Sequence, residues 1–148
     1  MAPANRHASL VIAGESGVLI TGPSGSGKTE LALALMAHCT AHGRFARLVS
    51  DDQVFLSAAA GRLIGRAPPT IAGLAEARGF GPAAIAHQSR AVVDLVVRLV
   101  AAEAAPRLHE GEEMHLQGVV VPCLELAARR TQGAVFAVAA RLGLPPFS

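Results

Sequence analysis

The chain has 148 residues, a formal net charge of +2 and 51% hydrophobic side chains, which suits one packed domain. With no Trp, no Tyr, five Phe and no basic run, it offers no aromatic platform for single-stranded nucleic acid and little for nucleic-acid or membrane surfaces. Small phosphates are the ligands that composition leaves in view.

In chain order, Ser9 to Ala13 and Val18 to Thr21 are short β-prone runs separated by Gly14-Glu15-Ser16-Gly17, a hairpin pattern. Gly22 to Thr29 then reads GPSGSGKT, a complete G-x-x-x-x-G-K-[ST] phosphate loop. A helix follows from Gly27 to about Ala41, with Leu31, Leu35 and Met36 on one face and Gly43 as its stop. Arg47 to Ser50 is a predicted strand ending at Asp51-Asp52; Val54 to Leu56 and Leu63-Ile64 are further extended runs.

Pro68-Pro69 closes that part, and Thr70 to Arg78 reads as weakly helical before Gly79-Phe80-Gly81-Pro82. Ala91 to Val100 pairs Asp94 with Arg98 at helical spacing, yet its valines and its alternating apolar positions favour a strand. Ala104 to Gly111 is a loop, Val119 to Val121 a strand before Pro122, and Thr131 to Leu142 a terminal helix stopped by Gly143 and Pro145-Pro146. Cys39 and Cys123 show no metal or redox spacing and read as reduced core thiols. The first seven residues fit no signal peptide and no run of about eighteen apolar residues exists, so a soluble cytoplasmic protein is expected.

The strand, loop and helix around Gly22, Pro23, Ser24, Gly25, Ser26, Gly27, Lys28 and Thr29 supply backbone N–H groups and an open helix N-terminus, both of which favour phosphate oxygens. Lys28 would reach the β- and γ-phosphates, and Thr29 would hold Mg²⁺. Asp51-Asp52, at the end of what reads as a parallel strand beside the loop's own strand, would face that ion and the γ-phosphate. Two adjacent carboxylates allow one to organise the metal while the other takes the proton of an attacking hydroxyl; a solvated turn is the plainer alternative. Glu76 offers a further Mg²⁺ oxygen, or with Arg78 a surface ion pair.

Four segments then stand out together: His7 to Leu10, Gly17 to Glu30, Arg47 to Val54, and Leu74 to Gly81. In order and spacing they resemble the bacterial HPr kinase/phosphorylase family across roughly residues 7 to 125. That family shows a His-led strand, a G-x-S-G-x-G-K-[ST]-[ED] loop, an R-L-V-A-D-D-x-V strand and an L-L-E-V-R-G-x-G segment. The likeness is nearest to its short alphaproteobacterial form, which corresponds to the C-terminal catalytic domain.

The resemblance implies one catalytic domain over residues 1–148: an α/β phosphate-loop kinase fold related to phosphoenolpyruvate carboxykinase, with a central mixed sheet and flanking helices. It implies phosphorylation by ATP of a serine on the phosphocarrier protein HPr or its nitrogen-system relative. Reverse phosphorolysis by inorganic phosphate, yielding pyrophosphate, would use the same site. The Asp pair falls on the general base and acid, with Asp52 favoured and Asp51 supporting. Thr29 and Glu76 fall on the Mg²⁺ ligands, Lys28 on the phosphate-contacting lysine, His7 on an active-site histidine and Arg107, loosely, on a catalytic arginine. A homo-oligomer, a hexamer by analogy, is also implied.

Departures from the family pattern are Ser50 before the Asp pair, Ala75 and Ala77 around Glu76, extra residues near Thr40 to Phe45, and only an echo of P-V-x-x-G-R-N at Val121 to Glu125. Two other readings compete. A small-metabolite kinase of the shikimate or gluconate type would need a basic lid segment, which is not found. A nucleotide-sensing module without transfer would be expected to have lost the Asp pair or Glu76, and both are present.

Overall fold

The computed structural model describes residues 3–147. Strands β1 (Ala4–Ala13) and β2 (Ser16–Thr21) form an antiparallel hairpin, and β2 runs straight into the phosphate loop and α1 (Lys28–Ala41). Next come β3 (Ala46–Ser50), β4 (Gln53–Ala59), β5 (Arg62–Arg66) and the small hairpin β6 (Leu74–Ala77) and β7 (Gly81–Ala84). The chain continues with β8 (Arg90–Val100), β9 (Glu113–Leu116), β10 (Val119–Ala127) and α2 (Thr131–Leu142).

The large sheet is mixed. β8 lies parallel to both β2 and β10, while β1 is antiparallel to β2, β3 and β4. β1 pairs through Leu10 to Ala13 with β3 and through Ala4 to His7 with β4, and β8 pairs through Arg90 to Val92 with β5. Strands β1, β4, β5, β8 and β2 therefore close into a ring. β-Branched valines suit β8, whose inner residues are covered on both faces.

Two apolar cores follow from the two-residue period of the strands. On one face, Val11, Val18, Ile20, Leu95, Val97 and Leu124 meet Leu31, Leu35 and Cys39 of α1 and Val135 and Val138 of α2. Inside the ring, Leu10, Ile12, Leu19, Val54, Leu56, Leu63 and Val96 pack on one another. Gly65 lets the side chains close in there, since a Cβ would lie 2.4 Å from Leu10 Cδ2 and 3.1 Å from Val54 Cγ1. Both helices thus share one face of the sheet. Cys39 and Cys123 are buried free thiols; burial raises both pKa values, that of Cys123 to about 11. No helix among the described residues is long and apolar enough to cross a membrane.

Three expectations are corrected. Thr70 to Arg78 is not helical: after a 3-10 turn at Pro69–Ile71 it forms β6, with Gly73 and Gly79 at φ 74 and 86 interrupting any helix. Strand β10 continues through Pro122 as far as Ala127, and its antiparallel partner β9 was not read from the sequence. Finally β3, though it points the same way as β2, is separated from it by β1; the parallel neighbour of β2 is β8.

Candidate active site

The phosphate loop is built by backbone conformations that side chains resist. Gly22, Gly25 and Gly27 have φ of 154, 78 and 96, and a Cβ on Gly22 would lie 2.7 Å from Ser26 Oγ. The Ser26 N–H donates to the Pro23 carbonyl at 3.1 Å, and Lys28 Nζ donates to the carbonyls of Gly22 and Pro23 at 2.9 and 3.1 Å. Lys28 is buried and lines a cleft of about 640 Å³. That cleft is bounded by Ser24, Gly25, Gly27, Lys28 and Thr29 on the loop side and by His7, Asp52 and Glu76 opposite.

The Asp pair lies at a kink between two strand segments rather than at a free strand end. Pairings Leu10↔Ser50 and His7↔Gln53 keep one register with β1, so β3, Asp51-Asp52 and β4 form one bent run. Asp52 takes φ 73, a left-handed conformation that Asp tolerates better than most residues, and its carbonyl accepts the Ala8 N–H at 3.1 Å. The kink sends neighbouring carboxylates to different environments.

Asp51 is 6% exposed and accepts three hydrogen bonds: from Ser9 Oγ at 2.8 Å and Thr29 Oγ1 at 2.7 Å on one oxygen, and from the Glu76 N–H at 3.1 Å on the other. One buried carboxylate thus ties together β1, the start of α1 and β6. Asp52 instead projects into the cleft, exposed, with Oδ1 2.5 Å from His7 Nε2. Glu76 is exposed and lines this cleft as well as an adjoining one of about 400 Å³ shared with Thr29, Asp51 and Asp52. Thr29, Asp51 and Glu76 therefore set hard oxygen donors around one mouth. No three His, Cys, Asp or Glu among the described residues form a ready-made metal cluster, so a divalent ion here would complete its shell with ligand oxygens.

The structure brings His7, Lys28, Thr29, Asp51, Asp52 and Glu76 together. It does not bring in Arg107. That residue, in the polar loop after a 3-10 turn at Ala102–Ala104, lines a separate groove with His109, Glu112 and Arg141. Arg78 is paired with Glu30 at 3.0 Å across the cleft rim. Two residues escaped the sequence reading. Ser9, a polar residue within an apolar strand, sits opposite Asp51. Arg129, two residues beyond β10, donates from its N–H to the Ser26 carbonyl at 3.0 Å and from Nε to the Gly25 carbonyl at 2.7 Å. Its signal was its place after a parallel strand, since the ends of β2, β8 and β10 gather at this edge of the sheet.

A mixed sheet delivering a glycine loop with a buried lysine, with the Asp52 carboxylate on the same cleft, defines a phosphate-loop α/β domain of the kinase type. The family model of the HPr Serine kinase C-terminal domain matches residues 1–140, and the chain belongs to that family. The HPr kinase/phosphorylase of Bordetella petrii is 36% identical over 124 residues, covering 77% of this chain and 37% of that protein. That of Clostridium beijerinckii is 45% identical over 82 residues, covering 55% of this chain and 25% of that protein. The chain thus matches a quarter to somewhat over a third of the length of these relatives. The Hpr(Ser) kinase/phosphatase structure from Coxiella burnetii aligns with a TM-score of 0.78 at 26% identity, over 95% of this chain and 88% of that one.

Proposed function

We propose that this domain transfers the γ-phosphoryl group of ATP to a serine hydroxyl of an HPr-like phosphocarrier, HPr itself or its nitrogen-system relative, and catalyses the reverse phosphorolysis. The observation that carries this reading is the exposed Asp52 carboxylate, bonded to His7 at 2.5 Å and facing Lys28 and the phosphate loop across one cleft. An acceptor hydroxyl entering between them would have a base on one side and a held triphosphate on the other. The names of the relatives support a serine on a carrier protein as the acceptor.

In the forward direction the serine O–H gives its proton to Asp52 as its oxygen bonds to the γ-phosphorus and the bond to the ADP oxygen breaks. The loop N–H groups and Lys28 hold the phosphates throughout. His7 orients Asp52 through its ring nitrogen and steadies the carboxylate. In the reverse direction inorganic phosphate attacks the phosphoserine phosphorus, protonated Asp52 returns its proton to the departing serine oxygen, and pyrophosphate leaves. Positioned acid–base groups of this kind contribute roughly 10²–10⁴-fold.

The oxygen donors of Thr29, Asp51 and Glu76 suit Mg²⁺, which prefers one or two carboxylates plus phosphate oxygens and water. When bound, Mg²⁺ would neutralise charge on the phosphates. Asp51's part is to hold Thr29, Ser9 and the Glu76 backbone in place. The relation to phosphoenolpyruvate carboxykinase and a homo-oligomeric assembly belong to the same proposal, the latter open to sedimentation analysis.

The decisive experiment incubates the protein with Mg²⁺ and γ-labelled ATP in the presence of an HPr-like carrier. Label on a carrier serine is expected, as is pyrophosphate when phosphorylated carrier meets inorganic phosphate. ATP binding without label on the carrier would overturn the kinase reading in favour of a sensing module.

A further inference from the structure

The end of α1 remote from the phosphate loop carries a histidine pair that the cleft does not use. His38 lies in the last turn of the helix and His42 is its C-cap, four residues on, with ring centroids 4.5 Å apart. Each ring has one nitrogen on a backbone carbonyl: His38 Nε2 on Pro145 at 2.6 Å, and His42 Nδ1 on His38 at 2.8 Å. A carbonyl oxygen can only accept, so both of those nitrogens carry a proton and donate it. In the neutral rings the lone pairs then belong to His38 Nδ1 and His42 Nε2. Metal-ligating histidines share this pattern, the second ring N–H being held by a carbonyl or carboxylate that fixes the tautomer.

Position adds a second argument. The last turn of a helix presents carbonyls at the negative end of the macrodipole, where a cation is favoured. His42 is exposed there and His38 half-buried, the latter edge-on to Phe136 with ring centroids 6.5 Å apart. Capping the helix and strapping Pro145 would occupy only one nitrogen of each ring.

We propose that His38 and His42 form a chelating site for a late first-row divalent ion of the Zn²⁺ or Ni²⁺ class, bound through His38 Nδ1 and His42 Nε2. Histidines at i and i+4 are the spacing by which one helix face offers a metal two imidazoles. Bonds of about 2.0–2.1 Å let one ion join nitrogens up to about 4.2 Å apart, a span within reach of rings whose centroids are 4.5 Å apart. Imidazole suits these ions, whereas Mg²⁺ prefers oxygen, so the pair is chemically distinct from the oxygen donors at the cleft. No third His, Cys, Asp or Glu joins the two among the described residues, and water would complete an open shell. The ion would brace the His38 bond to Pro145 and so tie the end of α1 to the segment after α2. The inference stands independently of the proposed function.

Titration of the metal-free full chain with Zn²⁺ tests it, followed by calorimetry and by the NMR signals of the histidine ring nitrogens. Saturable binding that moves His38 Nδ1 and His42 Nε2 together is expected in the wild type. His42→Gln, at an exposed position, is expected to weaken that binding by about tenfold or more, at least the cost of losing an outer-shell partner. His7→Gln and His109→Gln remove the histidines that lie beside Asp52 and Glu112, and each is expected to change it by less than about twofold. Excess Mg²⁺ is expected to leave the ion in place. The inference is overturned if the wild type shows no saturable binding, if only the His7 or His109 signals move, if His42→Gln binds as well as wild type, or if Mg²⁺ displaces the Zn²⁺.

Discussion

The two walls of the cleft are built in different ways. The phosphate-loop wall is one continuous stretch, β2, loop and α1, in which Gly22 to Thr29 take their conformation from their own glycines and from the helix they open. The other wall, proposed above to receive the acceptor, is assembled from β1, the Asp51-Asp52 kink and β6, which lie tens of residues apart and meet through a single buried carboxylate. A contiguous motif can bind phosphate by itself. A site that directs the phosphoryl group to a hydroxyl needs the second wall, and Asp51 is what joins that wall to the first.

The contrast is tested most severely at the Asp pair. Asp52→Asn keeps a side chain suited to the left-handed turn, so we expect transfer to fall by about 10²–10⁴-fold with ATP affinity nearly unchanged and stability within about 0.5 kcal/mol. Transfer assays, calorimetry and denaturant melts read the three quantities. Asp51→Ala should do the converse to the fold: it strands the Ser9 and Thr29 hydroxyls and the Glu76 N–H, at a cost of about 2–4 kcal/mol in the same melts. Equal stability of the two variants would sink the division between a joining and a reacting carboxylate.

Smaller effects sharpen the picture. His7→Ala should lower kcat for transfer by about tenfold with little change in KM for ATP, because His7 touches the acceptor-side carboxylate and not the loop. A change confined to KM for ATP would put His7 on the wrong wall. The smallest effect concerns Cys123, away from the cleft. Its pKa is raised by burial from 9.0 to about 11, so the folded state favours the neutral thiol. Its contribution to stability is whole below pH 9.0 and is lost as the pH rises toward about 11. Alkaline melts of wild type and Cys123→Ala should converge across that window, and the native thiol should resist alkylation near neutral pH.

Legibility in the sequence followed the same division. The first hairpin, α1, α2 and β8 were readable because their apolar spacing and their glycine stops are local. The segment carrying Glu76 was misread as helical. Its strand is held by pairing with β7 and by Asp51 accepting the Glu76 N–H, neither of which leaves a periodic trace in four residues. Arg107, expected at the site from a loose match to the family's tripeptide, lines a separate groove, whereas Arg129, which no motif marked, lines the cleft.

The sequence by itself determined the phosphate loop, the identities of the carboxylates near it, and the family. Only the tertiary structure separated the environments of Asp51 and Asp52, brought Ser9 and His7 to them, and put Arg129 on the lining of the cleft and Arg107 on that of another groove. The physical reason is range: a glycine's φ and a helix's spacing are set within a few residues, whereas burial of a charge depends on strands that pair across the whole chain.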